Sequence, residues 1–189
     1  MSIEAEWDAR YAERVFSGDP NVVLVREVSA LPPGRALDLG CGEGGDAIWL
    51  ARQGWHVTAV DVSGVALARA AEQAGDLTID WQRHDLSQSF PEGTYDLVSA
   101  QFLYHRGEFD RTAVLRRAAA AVAPGGVLLI EGHMDDPHHP HDDLVLQTPA
   151  EIVASLELGE GWEVLLAEEH PREHLGRMRT DSTVKLRRA

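Results

Sequence analysis

A glycine-rich turn directly after a short apolar segment constrains this chain more than any other feature. Residues 36–39 predict a strand, and Gly40, Gly42 and Gly44 follow it at alternate positions. Three glycines at this spacing let the backbone turn sharply and approach a ligand that a Cβ would obstruct. The helix predicted over residues 46–52 then points its N-terminal amides at the same place. The sequence therefore predicts a ligand site at this turn, which we call the glycine turn (residues 40–44).

Strand and helix patterns alternate along the whole chain of 189 residues. Short apolar or β-branched runs predict strands, and amphipathic or alanine-rich runs between them predict helices. The predicted strands cover residues 36–39, 56–60, 77–81, 95–100, 127–130, 162–167 and 182–186, and the predicted helices cover residues 4–16, 46–52, 64–73, 113–122 and a segment that begins at Thr148. This order predicts one α/β domain of three layers with a largely parallel sheet.

The composition argues against several functions. A net charge of −14 disfavours a nucleic-acid partner, because proteins that bind nucleic acids usually carry a basic patch. Cys41 is the only cysteine, which excludes an intrachain disulfide and a thiolate metal site. No apolar run approaches the roughly 20 residues that cross a bilayer, and the charged start is unlike a targeting peptide. We expect a soluble cytoplasmic protein that acts on a small molecule, with no membrane partner and an oligomeric state that the sequence does not indicate.

Two acidic residues flank the glycine turn. Asp61 ends the second predicted strand, about 20 residues further on, where a carboxylate can accept both hydroxyls of a ribose. Asp38 lies two residues before the first glycine. The pattern Asp38-Leu39-Gly40-Cys41-Gly42-Glu43-Gly44 resembles the first motif of the class I S-adenosylmethionine (SAM)-dependent methyltransferases. Residues 36–63 are similar to the branch that includes tellurite-resistance and thiopurine methyltransferases, and the likeness extends over roughly residues 35–131.

This resemblance implies a Rossmann-like, seven-stranded, mostly parallel sheet with an antiparallel last strand. It also implies methyl transfer from SAM, with S-adenosylhomocysteine (SAH) as the product. Residues 1–30 would form an N-terminal helical cap, and residues 132–148 a lid over the substrate. The acceptor stays open among a thiol, a chalcogen oxyanion, a hydroxyl and an amine, because in-line displacement needs a general base only when the acceptor holds its proton.

The resemblance also implies which residues bind the cofactor. Asp38 and the glycine turn would hold its methionine portion, and Gln101 would present its backbone to the amino group. Asp61 would bind the ribose, Val62 would lie beside the adenine, and Asp85 would accept from the adenine amino group, although Asp85 could instead serve a turn. The complete implied set is Arg10, Tyr11, Asp38, Gly40, Gly42, Gly44, Asp61, Val62, Asp85, Leu86 and Gln101.

Histidines after the fourth and fifth strands are candidate catalytic groups. His105 follows the fourth strand, and imidazole titrates near neutral pH, so it could act as a base. The alternative is a structural histidine at the edge of the sheet. His133 is similarly placed after the fifth strand.

A histidine-rich stretch over residues 132–143 could bind a metal ion, because histidine and carboxylate ligands occur at short spacing. Its prolines forbid helical ligand spacing, so we predict a solvated lid and no metal. The end of the fourth strand, Ser99-Ala100-Gln101, contains no carboxylate, which also counts against a metal-dependent catechol-type mechanism. Two further alternatives remain: a sensor that binds SAM or a metal without turnover, and a nicotinamide-dependent oxidoreductase.

Overall fold

The computed structural model describes residues 2–13, 18–134, 144–174 and 176–189. Its helices are α1 (Ile3–Glu13), α2 (Val22–Val28), α3 (Gly45–Arg52), α4 (Gly64–Ala74), α5 (Arg111–Ala120) and α6 (Pro149–Ser155). Its strands are β1 (Arg35–Leu39), β2 (His56–Asp61), β3 (Asp80–Arg83), β4 (Tyr95–Gln101), β5 (Val122–His133), β6 (Trp162–His174) and β7 (Arg177–Arg188).

All seven strands form one sheet in the order β3-β2-β1-β4-β5-β7-β6. Strands β1 to β5 pair in parallel, and β7 pairs antiparallel with both β5 and β6. The predicted fold class, with its antiparallel last strand, is therefore confirmed. The order reverses between β1 and β4, and in open α/β sheets a ligand crevice forms at such a reversal, outside the carboxyl ends of the strands.

Helices cover both faces of the sheet, which explains why its central strands are continuously apolar. One apolar cluster joins the sheet to α5 and α6, and the other joins it to α2, α3 and α4. Alternate side chains of β1 enter the two clusters, with Ala36 on one face and Leu37 on the other. This packing fixes the ends of the strands on which the candidate site is built.

Two helix starts follow the sequence signals closely. The Ser63 hydroxyl accepts from the Ala66 amide at 3.1 Å and caps α4. Thr148 and Glu151 form a reciprocal capping box at the start of α6, with Pro149 in the first turn. The predicted helix starts at these two positions are confirmed.

One helix was not predicted, and two predicted elements begin at other residues. Helix α2 was not predicted, although its buried Leu24 packs against the sheet. Strand β3 begins at Asp80 rather than residue 77, because the Leu77 amide still bonds to the Ala74 carbonyl and closes the turn after α4. Helix α5 begins at Arg111 rather than residue 113, because the Asp110 carboxylate caps it.

The last two strands are longer than predicted and form one hairpin. Backbone pairing runs from Trp162 with Arg188 to His174 with Arg177. The middle of this hairpin is charged, so it lacks the apolar run from which a strand is predicted. Backbone pairing does not require apolar side chains. Strand β5 is also longer than predicted, and its last residues, Gly132 and His133, pair with β7. The predicted lid over 132–148 therefore starts too early, and most of it (135–143) lies outside the described residues.

In the described parts of the chain, no helix is both long enough and apolar enough to span a membrane.

Candidate active site

A cavity of about 570 Å³ lies at the carboxyl ends of the strands, beside the glycine turn and under α1. It is bordered by eleven of the residues that the sequence predicted for cofactor binding or catalysis: Arg10, Tyr11, Asp38, Gly40, Gly42, Asp61, Val62, Asp85, Leu86, Gln101 and His105. Their convergence from α1 and four strand ends makes this cavity the candidate active site.

The glycine turn needs glycine at two of the positions that border the cavity. Gly40 has a φ of 73° and Gly42 a φ of 52°, conformations that L-residues rarely adopt. A Cβ on Gly42 would lie 2.7 Å from Tyr11 Oη, and a Cβ on Gly40 would lie 2.8 Å from Leu103 Cδ1. The amide of Gly40 also donates to the Val60 carbonyl at 2.8 Å, which anchors the turn to β2. The backbone is thus held close to the cavity.

Gly44 is an exception among the predicted residues. It is not among the described residues that border the cavity. A Cβ on Gly44 would instead lie 2.8 Å from Trp81 Cη2 and 2.9 Å from Ala70 Cβ. Cofactor binding by Gly44 stays a prediction, and its contacts show that this glycine permits close packing of the N-terminus of α3 against α4 and β3.

Asp61 is buried and hydrogen-bonded within the protein. Its carboxylate accepts from the Gly42 amide and from the Ser63 amide, both at 2.9 Å. Burial raises the pKa of Asp61 above its ordinary value, although the hydrogen bonds from Ser63 and Gly42 oppose that shift. The side chain thus joins the end of β2 to the glycine turn, in addition to bordering the cavity.

Three carboxylates, Asp38, Asp46 and Asp61, surround the glycine turn. Burial raises the pKa of Asp38 well above its usual range, and the charges of Asp46 and Asp61 raise it further. Asp38 Oδ2 is buried without a hydrogen-bond partner among the described residues. Asp46, which the sequence analysis did not assign to the site, is held by the amide and side chain of Asn21 at 2.6 and 2.8 Å. Such a cluster fits a positively charged ligand.

Gln101 contributes a second unsatisfied oxygen near Asp38. Its Nε2 donates to Ser99 Oγ at 3.1 Å, and Ser99 lies opposite Asp38 in the β1–β4 pairing. Gln101 Oε1 is buried and has no hydrogen-bond partner in the described parts of the chain. A ligand that carries hydrogen-bond donors, such as an ammonium group, would satisfy both oxygens.

Asp85 serves the turn that the sequence analysis weighed as an alternative. Its Oδ1 accepts from the Ser87 amide at 3.0 Å and from Ser87 Oγ at 2.6 Å. The residue nevertheless borders the cavity, so the turn also places it for a ligand contact. Leu86 is buried in the apolar core and also borders the cavity.

Helix α1 covers the cavity and is held there by a polar contact. Asp8 accepts from Ser63 Oγ at 2.5 Å and from the Val65 amide at 3.2 Å, at the start of α4. Arg10 lies with its guanidinium carbon 5.0 Å from the centre of the Trp7 ring. Burial, together with the charge of Asp61, raises the pKa of Tyr11, which keeps its phenol neutral.

His105 lies in the cavity wall, where the sequence analysis placed it. Its Nε2 is 4.0 Å from Glu6 Oε2, and its ring meets that of Phe109 edge-on at 6.4 Å. A catalytic role for His105 stays a prediction. His133 borders the cavity as well, and its neighbours Phe102 and Tyr104 were not found by sequence reasoning.

The described residues contain no group of three histidine, cysteine, aspartate or glutamate side chains that could hold a metal ion. The metal alternative also involved His138, His139 and His141, which lie outside the described residues.

Comparisons with known proteins agree with this geometry. Residues 36–126 match a family model described as a methyltransferase domain. A ribosomal RNA small subunit methyltransferase C of Alcanivorax borkumensis is 32% identical over 111 residues, which cover 56% of this chain and 34% of the relative. An uncharacterized methyltransferase of Mycobacterium tuberculosis is 38% identical over 95 residues, which cover 50% of this chain and 48% of the relative.

A solved structure of TehB from Haemophilus influenzae has the same fold, with a TM-score of 0.75 at 19% sequence identity, over 100% of this chain and 68% of that one. The chain spans about a third to a half of the length of the two curated relatives. Residues 36–126 thus match a methyltransferase domain, and the fold of the chain is the one that TehB has. A magnesium protoporphyrin IX methyltransferase from Synechocystis, whose solved structure contains bound SAH, has a similar fold with a TM-score of 0.69 at 16% sequence identity, over 99% of this chain and 96% of that one.

Proposed function

We propose that this chain transfers a methyl group from SAM to a small-molecule acceptor bound in the same cavity. The observation that carries the proposal is the pair of buried oxygens, Asp38 Oδ2 and Gln101 Oε1, that have no partner among the described residues beside the glycine turn. Buried polar atoms are normally hydrogen-bonded, so this part of the cavity is suited to a ligand with donors and positive charge. SAM has both, in its ammonium and sulfonium groups.

The residues around the cavity suit the different parts of SAM. Asp38, Gln101 and the backbone of the glycine turn would hold the methionine portion. Asp61 and Val62 would hold the ribose and one side of the adenine, and Asp85 with Leu86 would hold the rest of the adenine. Arg10 and Tyr11 on α1 would lie near the methionine carboxylate.

When bound, SAM supplies a methyl group on a positively charged sulfur that departs as a neutral thioether. The chain's own contribution is alignment and exclusion of water. Helix α1, held by Asp8, closes the cavity over the glycine turn, and the carboxylates favour the cationic donor over its less charged product. We expect this preference to assist release of SAH after transfer.

A small molecule is the acceptor that the charge of the chain favours. The net charge is −14, and phosphate-rich substrates require cationic contacts. An RNA substrate is the second candidate, because one relative is named as a ribosomal RNA methyltransferase. Release of SAH in the presence of ribosomal RNA, without release for any small acceptor, would support that second candidate.

The experiment that tests the proposal is a turnover screen. The purified protein is incubated with SAM and with thiols, selenite or tellurite, phenols, amines and carboxylic acids, and SAH release is measured. We expect release with at least one class, and loss of release in Asp38→Ala. Tight SAH binding with no release for any acceptor would instead support the sensor alternative, and NADH binding without SAH binding would contradict both.

A further inference from the structure

The hairpin of β6 and β7 extends beyond the end of β5. Strand β5 ends at His133, which pairs with Asp181, and the pairing of β6 with β7 continues past this point. We call the residues beyond it, 171–174 and 176–180, the arm. Because the cavity lies at the carboxyl ends of the parallel strands, the arm projects from the sheet on the same side as the cavity.

The arginines of the arm share one face, and its glutamate lies on the other. Side chains alternate between the two faces along a strand, and directly paired residues share a face. Arg172 pairs with Arg179, and Arg177 lies two residues before Arg179, so the three arginines are on the same face. Glu173 follows Arg172 and lies on the opposite face. One face of the arm is therefore basic, in a chain whose net charge is −14.

This basic face contacts the wall of the cavity. The Arg172 guanidinium carbon lies 5.2 Å from the centre of the Phe102 ring, and Phe102 borders the cavity. Arg179 is directly opposite Arg172, a position in which Cβ atoms are about 4.5–5.5 Å apart. Both arginines are partly buried, so their charges are screened less than those of an exposed surface. The arginine pair is thus beside the cavity, at the end of β4.

A single carboxylate compensates this arginine pair. Among the described residues Arg172 donates only to Asp181, through Nε. Burial alone would raise the pKa of Asp181, but its contacts with His133 and Arg172 lower it, so Asp181 is ionised at neutral pH. The Arg179 side chain has no hydrogen bond or ion pair in the described part of the chain, and its Nε is buried. Like charges directly opposite one another destabilise a sheet, so a second anion beside Arg179 would stabilise this one.

The other carboxylates on this face do not supply that second anion. Burial raises the pKa of Glu131 to about 8, so this residue is mostly protonated at neutral pH. Glu168 is on the same face of β6 as Arg172, but its Oε1 is paired with Arg26 Nη2 at 3.3 Å. One positive charge of the pair, that of Arg179, is therefore left for a ligand.

We propose that the methyl acceptor carries a carboxylate group, which Arg179 binds together with the terminal nitrogens of Arg172. This inference rests on the proposed methyl transfer and specifies the class of its substrate. A carboxylate has the single negative charge that would compensate Arg179, and it accepts parallel hydrogen bonds from guanidinium groups. The contact of Arg172 with Phe102 places the rest of the bound acceptor at the cavity wall.

The arm also accounts for how an acidic acceptor approaches an acidic chain. Asp38, Asp61 and Asp85 border the same cavity, and their side of it repels an anion. A local group of arginines attracts anions to one place on the surface and orients them there. The carboxylate of the acceptor then lies at the arm, while the positive charge of SAM lies beside the glycine turn. The two reactants are thus directed to different sides of one cavity.

The first test measures binding without turnover. Benzoate and its neutral counterpart benzamide are titrated calorimetrically into the SAH-loaded protein. In the wild type we expect benzoate to bind about tenfold or more tightly than benzamide. Arg179→Gln should abolish this difference, and Arg179→Lys, which keeps the charge without the planar fork, should retain part of it. The control Arg187→Gln should behave as the wild type, because Arg187 is exposed on the same strand, far from the arm, and pairs with Glu163.

The second test measures turnover with pairs of acceptors that differ by a carboxylate. The pairs are phenol with 4-hydroxybenzoate, thiophenol with 4-mercaptobenzoate, and aniline with 4-aminobenzoate. In the pair whose nucleophile is methylated, we expect the acid to have a KM lower by about tenfold or more. Arg179→Gln should abolish that difference in KM and leave kcat within about threefold, because Arg179 is placed to bind the acceptor and not the reacting atoms. A merely structural role of Arg179 would alter the acid and the neutral acceptor equally.

The two proposals fail in distinguishable ways. No SAH binding to the wild type, or no SAH release with any acceptor, would contradict the proposed function itself. SAH release with equal KM values within each pair, equal affinities for benzoate and benzamide, or a preference for the acid that survives in Arg179→Gln would overturn only the inference about the acceptor. Ribosomal RNA that binds through Arg179 when benzoate does not, or a wild-type dimer that dissociates in Arg179→Gln, would also overturn it, because the arm would then bind a macromolecule.

Discussion

Two walls of the cavity differ in how their carboxylates are paired. The wall beside the glycine turn, which we call the carboxylate wall, holds Asp38, Asp46 and Asp61, and burial raises the pKa of all three. The wall at the ends of β4 and β5 holds Phe102, Tyr104 and His133, which we call the aromatic ladder. Beside it, Asp181 contacts Arg172 and His133 and has a lowered pKa. On the first wall Asp38 Oδ2 is buried without a partner among the described residues, whereas on the other wall Asp181 is paired with Arg172 and His133.

This difference separates what each wall can do. Clustered carboxylates in a buried position become more stable when a cation arrives, so the carboxylate wall is suited to binding. Asp181 already has Arg172 and His133 as partners, so the region of the aromatic ladder gains less from an arriving cation. Changes on the carboxylate wall should affect cofactor affinity, and changes around the ladder should affect stability while cofactor affinity is retained.

The largest effect is expected at Glu131, which lies two residues before His133. The folded pKa of about 8 exceeds the ordinary 4.5, so between these pH values the folded protein holds a proton that the unfolded chain has lost. Stability should therefore fall as pH rises through this window, by about 3–5 kcal/mol from this group. In Glu131→Gln that loss should be absent.

Urea unfolding of the wild type and of Glu131→Gln at about pH 5 and about pH 8 measures this contribution, because these values lie near the two ends of the pH window. The variant should gain stability relative to the wild type at the higher pH. An identical difference between the two proteins at both pH values would show that Glu131 is ionised in the folded state, and that charge around the ladder is not compensated as described.

The next largest effect is expected at Asp61 on the carboxylate wall. Asp61→Ala removes the acceptor of the Gly42 and Ser63 amides and a ribose contact, so SAH affinity should fall by about 100-fold or more. Asp61→Asn keeps one acceptor oxygen and should lose less. Calorimetric titration measures both, and circular dichroism confirms folding. If a folded Asp61→Ala kept the wild-type SAH affinity, this carboxylate would not contribute to ligand binding.

A smaller effect is expected at Gly42, for which the chain provides a matched control. Gly42→Ala combines an unfavourable φ with a Cβ 2.7 Å from Tyr11 Oη, so we expect about 2 kcal/mol of lost stability and at least tenfold weaker SAH binding. Gly75→Ala has a similar φ of 58° with no atom within 4 Å of the Cβ. It should lose about 1 kcal/mol of stability and no affinity. Equal affinity losses in both variants would contradict the close approach at Gly42.

The smallest effect is expected at Tyr104 in the aromatic ladder. Tyr104→Phe keeps the stacked ring and removes the hydroxyl that accepts from the His133 amide, which should cost about 1 kcal/mol of unfolding free energy. SAH affinity should stay within about twofold of the wild type. A large loss of SAH affinity here would show that the two walls are not separable.

The carboxylate wall could be predicted from the sequence because its signals are local. Asp38 and the glycine turn are adjacent in the chain, and Asp61 ends the next strand, so spacing alone places them together. The same reasoning could not find the packing of Gly44 against Trp81, because sequence spacing does not show which side of a turn faces a neighbouring helix or strand.

The aromatic ladder could not be predicted as a unit. Phe102, His133, Arg172 and Asp181 come from four separate strand ends, and their meeting depends on the register of the long hairpin of β6 and β7. The charged sequence of that hairpin gave no apolar signal over most of its length. His133 was therefore recognised as a candidate base, but its partner Asp181 was not.

The most direct test of the account is a calorimetric titration of SAH into the wild type, Asp61→Ala and His133→Gln. We predict a single site in the wild type, unchanged affinity within about twofold in His133→Gln, and at least a 100-fold loss in Asp61→Ala. No SAH binding to the wild type, or equal losses in the two variants, would contradict a cavity that binds the cofactor with its carboxylate wall and not with its aromatic ladder.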